Sequence, residues 1–145
     1  MMTADLRRWL GRCSVIALLA VAVAPAVWAQ ADTDAAAAAE PVMRQLEAFR
    51  RDDYDAAYAF ASAEIRQLFD REGFERMVMT GYPEIARSAS AVIISSEAPR
   101  DGRLYLVLRI RGANGKSVAA VYEMVREGSA WKINGVVARP DPGTV

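Results

Sequence analysis

From residue 41 onward the apolar positions change period once, and that change divides the chain. Pro41 suits the first turn of a helix, and Val42, Leu46 and Phe49 recur at i, i+4 and i+7 on one face. Arg50 and Arg51 follow, charges suited to a helix carbonyl end. Tyr54, Ala57, Tyr58 and Ala61 repeat the helical spacing, Ile65, Leu68 and Phe69 make a short third segment, and Phe74, Met77 and Val78 share the face of a fourth. Gly81-Tyr82-Pro83 is expected to end it, because Gly permits a left-handed exit and Pro blocks continuation.

After Ser88 the period becomes two. Residues 91–96 (AVIISS) are short and β-branched, and 103–111 (RLYLVLRIR) alternate, with Leu104, Leu106, Leu108 and Ile110 on one face. Residues 118–126 and 131–138 supply two more strands, and Pro99-Arg100-Asp101-Gly102, Asn114-Gly115 and Glu127-Gly128-Ser129 supply the turns. Helices first and consecutive hairpins afterwards predict an α+β domain. Its N-terminal helices are expected to cover one face of an antiparallel sheet of about four strands.

The first 29 residues read differently. Arg7, Arg8 and Arg12 precede an uncharged apolar run, Ser14 to Ala24, and Val27-Trp28-Ala29 offers small side chains at a signal-peptidase site. The run is about half the roughly 20 residues of a spanning helix. Residues 1–29 are therefore expected to be a cleaved secretory signal that sends the protein to the bacterial periplasm, with no membrane attachment afterwards. Residues 30–40, Ala-rich, are expected to be a flexible or partly helical lead-in, 41–139 a single domain, and 140–145 a tail.

Removing the signal alters the chemical inventory. The sole cysteine, Cys13, goes with it, no histidine exists anywhere, and Lys116 and Lys132 are the only lysines. About 116 residues then carry 15 basic and 17 acidic groups, enough chain for one core that must hold without disulfides. Without His or Cys, ordinary zinc sites and Ser-His or Cys-His nucleophiles are excluded. No phosphate loop or dinucleotide fingerprint occurs, so no cofactor is expected. The near-neutral charge disfavours nucleic acid.

Carboxylates and tyrosines remain. Asp52, Asp53 and Asp55 precede the second helix, where Asp52 or Asp53 suits the N-cap and Asp55 the positive end of the dipole; a metal loop would need more oxygen ligands. For Glu123 two registers are open. A two-residue Asn114-Gly115 turn would pair it with Leu106 on the core face, where a carboxylate would be a general base or ligand anchor. A loop one residue longer would turn Glu123 outward beside arginines and oppose Tyr122 and Met124 to the leucines. Tyr54, Tyr58, Tyr82, Tyr122 and Trp131 could line a ligand cavity or simply form core. Arg103, Arg109 and Arg111, with Tyr105 and Val107 between them, mark the other sheet face as an anion site, a solvated surface or a homodimer interface.

The stretch AFRRDDYDAAYAFAS, Ala48 to Ser62, resembles the opening of nuclear transport factor 2-like domains. Together with Gln45 to Arg50, Phe74 to Val78 running into Gly81-Tyr82-Pro83, Tyr122-Glu123-Met124 and Trp131 to Val136, it resembles an exported bacterial family, domain of unknown function 4864. The resemblance spans Pro41 to Val137. It implies a curved sheet wrapped by helices in a cone, and no particular activity. The combined expectation is a non-catalytic exported domain that binds a small apolar or amphipathic ligand or a protein partner, with Tyr58, Tyr82, Tyr122 and Glu123 as ligand-binding candidates. The alternatives are an isomerase- or dehydratase-like enzyme using Glu123 with a tyrosine such as Tyr82, and a homodimeric structural module.

Overall fold

A computed structural model describes residues 24–97, 99–141 and 143. Most of the expected signal segment lies outside the described residues. Five helices come first: α1 Ala24–Arg50, α2 Tyr54–Ala59, α3 Ala63–Leu68, α4 Arg71–Gly81 and α5 Pro83–Ala86. The strands β1 Ser88–Ser96, β2 Arg103–Gly112, β3 Ser117–Glu127 and β4 Ala130–Pro140 follow. They form one open antiparallel sheet in the order β1-β2-β3-β4. Among the described residues no helix is long and apolar enough to cross a membrane.

The core lies between α1 and the sheet. Ala38, Val42, Leu46 and Phe49 bury one stripe of α1 against Leu104, Leu106, Leu108 and Ile110 of β2 and Ala120, Tyr122 and Met124 of β3. Residues 30–40, expected to be a flexible or partly helical lead-in, are helical, and Pro41 sits inside α1 instead of at its start. An interior proline forfeits one backbone hydrogen bond and typically costs about 3 kcal/mol. The segment is held nonetheless, because Ala38 and Ala39 are buried and the largely buried Asp34 carboxylate pairs with Arg126 at 3.3 Å.

The RRDDYD stretch is a joint between two helices. Asp52 has φ 56, Asp52 N–H donates to Phe49 O at 3.0 Å and Asp53 N–H to Ala48 O at 2.9 Å. That pair of bonds closes α1 in the manner of a Schellman motif, with aspartate in the left-handed position usually given to Gly. Asp53 then caps α2, its carboxylate accepting from Ala56 N–H at 3.1 Å. The three acids part company: Asp52 pairs with Arg87 at 2.7 Å and Asp55 with Arg71 at 2.6 Å. Pro83 does end α4 in space, and it also begins α5, as its fixed φ permits at a first turn.

The β2–β3 turn settles the register. Arg111 pairs with Ser117, and Gly112 N–H donates to Lys116 O, leaving a three-residue loop with Gly115 at φ 80. Gly112 is pressed against α5: a Cβ there would meet Glu84 Cα at 3.0 Å and Asn114 Oδ1 at 2.7 Å. Leu106 therefore opposes Tyr122, and Glu123 opposes Tyr105 on the outer face. The tighter two-residue register would have buried a carboxylate where Tyr122 now packs.

Candidate functional site

Helices α1 and α4 do not close fully on β3 and β4, and a cavity of about 230 Å³ remains between them. Its walls are apolar. Phe49 from α1, Phe74 and Val78 from α4, Ile85 from α5 and Ile133 from β4 form the floor, while Ile65, Phe69 and Met77 lie where the walls are less buried. Phe74 is held from both sides, with ring centroids 6.1 Å from Phe49 and 5.4 Å from Tyr58. Among the described residues no charged side chain lines the cavity.

Three polar side chains do. Tyr82, at the α4–α5 junction, donates its hydroxyl to Val136 O at 3.1 Å, which ties the helical wall to β4. Gln45 is 4% exposed and donates through Nε2 to Ala57 O at 3.0 Å. That bond fixes the amide orientation, because a backbone carbonyl can only accept. Tyr122 is 1% exposed, and its hydroxyl has no hydrogen-bond partner among the described residues. Burial, with a smaller contribution from Tyr82, holds the Tyr122 phenol well above the ordinary tyrosine range. Outside the cavity, burial likewise raises Tyr54, whose hydroxyl also lacks a partner among the described residues.

The four expected ligand-binding residues separate. Tyr82 and Tyr122 line the cavity. Tyr58 stands behind its wall, its ring tilted against Phe74 and its hydroxyl donating to Phe69 O at 2.7 Å, so that it positions the α3–α4 corner. Glu123 lies on the opposite face of the sheet, where Arg103 and Asn134 engage its carboxylate. Asn134 occupies the bulge at which β4 slips against β3, and its Oδ1 accepts from Ser62 at 2.6 Å. Glu123 is thus a fastener between β2, β4 and the α2–α3 link, and it does not share a cavity with the Tyr82 hydroxyl. A Glu123–Tyr82 proton-transfer pair is not assembled.

Gln45 is the residue sequence reasoning missed. Its signal was its place between Val42, Leu46 and Phe49 on the apolar stripe of α1, where a buried amide demands a partner. On the outer face Val107, Val121 and Val137 form a row across three strands, flanked by Arg109, which pairs with Asp141 and holds that carboxyl below its ordinary range.

The model of the domain of unknown function 4864 (DUF4864) matches residues 31–144. The chain belongs to this family. The matched region of this DUF4864 domain includes the Ala-rich part of α1 and every strand. Among solved structures the chain is similar to the solution structure of a SEC-C motif containing protein from Rhodopseudomonas palustris, with 18% identity and a TM-score of 0.47 over 68% of this chain and 76% of that one. No curated protein matches the chain in sequence.

Proposed function

We propose that this DUF4864 domain is an exported binding module that holds a small apolar or amphipathic molecule between α1, α4 and the sheet. The observation that carries the reading is the cavity. Protein interiors are ordinarily packed with few voids larger than a water molecule, whereas this domain keeps a pocket of about 230 Å³, partly open to solvent, and lines it with aromatic and aliphatic side chains. Small-molecule sites have that composition, with a few polar groups to fix orientation. Export follows from the basic, apolar and small-residue layout of residues 1–29, and puts the site where it meets compounds outside the cytoplasm.

Native mass spectrometry of the protein, purified without detergent or refolding, tests this. An adduct of discrete mass that is lost on denaturation supports the reading. Met77→Trp, which adds bulk at the cavity wall, should abolish the adduct while leaving the thermal midpoint within a few degrees of wild type. A wild-type protein that takes up no small hydrophobic compound, native or added, refutes it.

A further inference from the structure

One polar atom at the cavity states what kind of molecule fits. Gln45 stands on the buried stripe of α1 and lines the cavity. The bond from Nε2 to Ala57 O orients its amide, and Oε1 accepts no hydrogen bond among the described residues. The unbonded side-chain atoms sealed from all accessible space are Tyr54 Oη, Tyr122 Oη and Trp131 Nε1. Gln45 Oε1 is unbonded and outside that group, so it reaches open space, and the open space beside Gln45 is the cavity. A carbonyl oxygen set among apolar walls costs free energy that a donor placed against it recovers. Neither tyrosine of the wall is that donor: Tyr82 gives its proton to Val136 O, and the Tyr122 hydroxyl is sealed. No charged side chain among the described residues is there to compensate an ion.

Resting on the binding reading above, we propose that the ligand is an uncharged compound of one or two rings carrying a hydrogen-bond donor, a hydroxyl or a heteroaromatic N–H, and that this donor bonds Gln45 Oε1. Gln45 is then the specificity-determining residue of the site, and molecules that carry only acceptors are disfavoured. Size agrees with the chemistry. A dry apolar cavity of about 150 Å³ accommodates benzene, and drug-sized ligands occupy roughly 300 Å³ or more. A volume of about 230 Å³ falls between.

Three probes of one shape separate the possibilities: indene has no polar atom, benzofuran only an acceptor and indole only a donor. Each is titrated calorimetrically into the intact protein and into Gln45→Met, which keeps the length of the side chain. Ala57 O stays bonded in that variant, because Phe60 N–H also donates to it at 3.2 Å. Wild type should bind indole roughly three- to tenfold more tightly than either isostere, the ratio expected of one net hydrogen bond. In Gln45→Met that preference should vanish or reverse while indene affinity is kept or improved. Benzofuran bound by wild type as tightly as indole, or a preference for indole that survives in Gln45→Met, overturns this inference and leaves the cavity reading standing. The wild-type comparison decides the matter even if Gln45→Met fails to fold. Indole-3-carboxylate should bind more weakly than indole, and tighter binding overturns the uncharged class. Failure of every probe to bind wild type overturns the inference and the binding reading together.

Discussion

Replacing Tyr122 by Phe removes one oxygen atom from the middle of β3 and keeps the ring that fills the core. The hydroxyl is buried and makes no hydrogen bond among the described residues, so the unfolded chain, whose Tyr122 is solvated, is favoured by the whole desolvation cost of that group. Such a cost is about 1–3 kcal/mol. The dispersion contacts of one buried oxygen are worth about 1 kcal/mol gross, much of which the unfolded chain recovers with water, so their removal offsets part of the gain. Tyr122→Phe is therefore expected to stabilise the ligand-free protein by about 1 kcal/mol, where most core substitutions destabilise. In a domain of this size that raises the midpoint of thermal unfolding by roughly 4–8 °C. The assay is urea unfolding of protein freed of ligand by unfolding and refolding, read as a higher midpoint at an unchanged slope. A loss of about 1 kcal/mol or more would refute the reasoning, because it would show that the hydroxyl is satisfied, by ordered water, in the native state.

The same phenol sets a pH dependence. Above about pH 10 tyrosines of the unfolded chain ionise, while Tyr122, its pKa raised by burial, keeps its proton in the folded state. The unfolded state then binds fewer protons than the native one, so stability falls as pH rises, by up to about 1.4 kcal/mol per pH unit for this group; urea midpoints through this alkaline range should fall less steeply in Tyr122→Phe than in wild type. Gly112→Ala drives a Cβ to 3.0 Å from Glu84 Cα and should cost about 1–3 kcal/mol in thermal unfolding, far more than a substitution at the open Gly81, where a Cβ meets nothing within 4 Å. Asp53→Ala removes the α2 cap and should cost about 1 kcal/mol. Asp55→Ala, which loses an exposed ion pair with Arg71 and a first-turn charge on α2, should cost about half a kcal/mol by the same chemical denaturation.

Much of the architecture was written in local pattern. The leucines of β2 alternate because one face of an antiparallel sheet is buried, and the stripe of α1 repeats because one side of a helix packs on that face. Asp53 and Gly115 occupy positions whose backbone geometry few other residue types satisfy as well. Period, caps and turns depend on near neighbours in the chain, and near neighbours are what a sequence displays. The order of motifs from Gln45 to Val136 was also enough to place the chain in its family.

Other features depend on residues far apart in sequence. Residues 30–40 look like a lead-in because alanines show no amphipathic contrast, yet burial beneath distant strands and the Asp34–Arg126 pair make them helix. Glu123 could face either way until the Gly112–Lys116 hydrogen bond closed a three-residue loop, and one residue of slip reverses a whole strand. The cavity is the extreme case. No local pattern announces a void, because it exists only where α1, α4, β3 and β4 fail to fill the space between them. Tyr82, Tyr122 and Gln45 were present in the sequence as residue types, whereas the unpartnered Tyr122 hydroxyl is a property of the assembled walls. Sequence alone determined most of the elements and their order, because these follow from near neighbours; tertiary packing decided how far α1 extends, which polar groups would be buried together and which would be left without a partner.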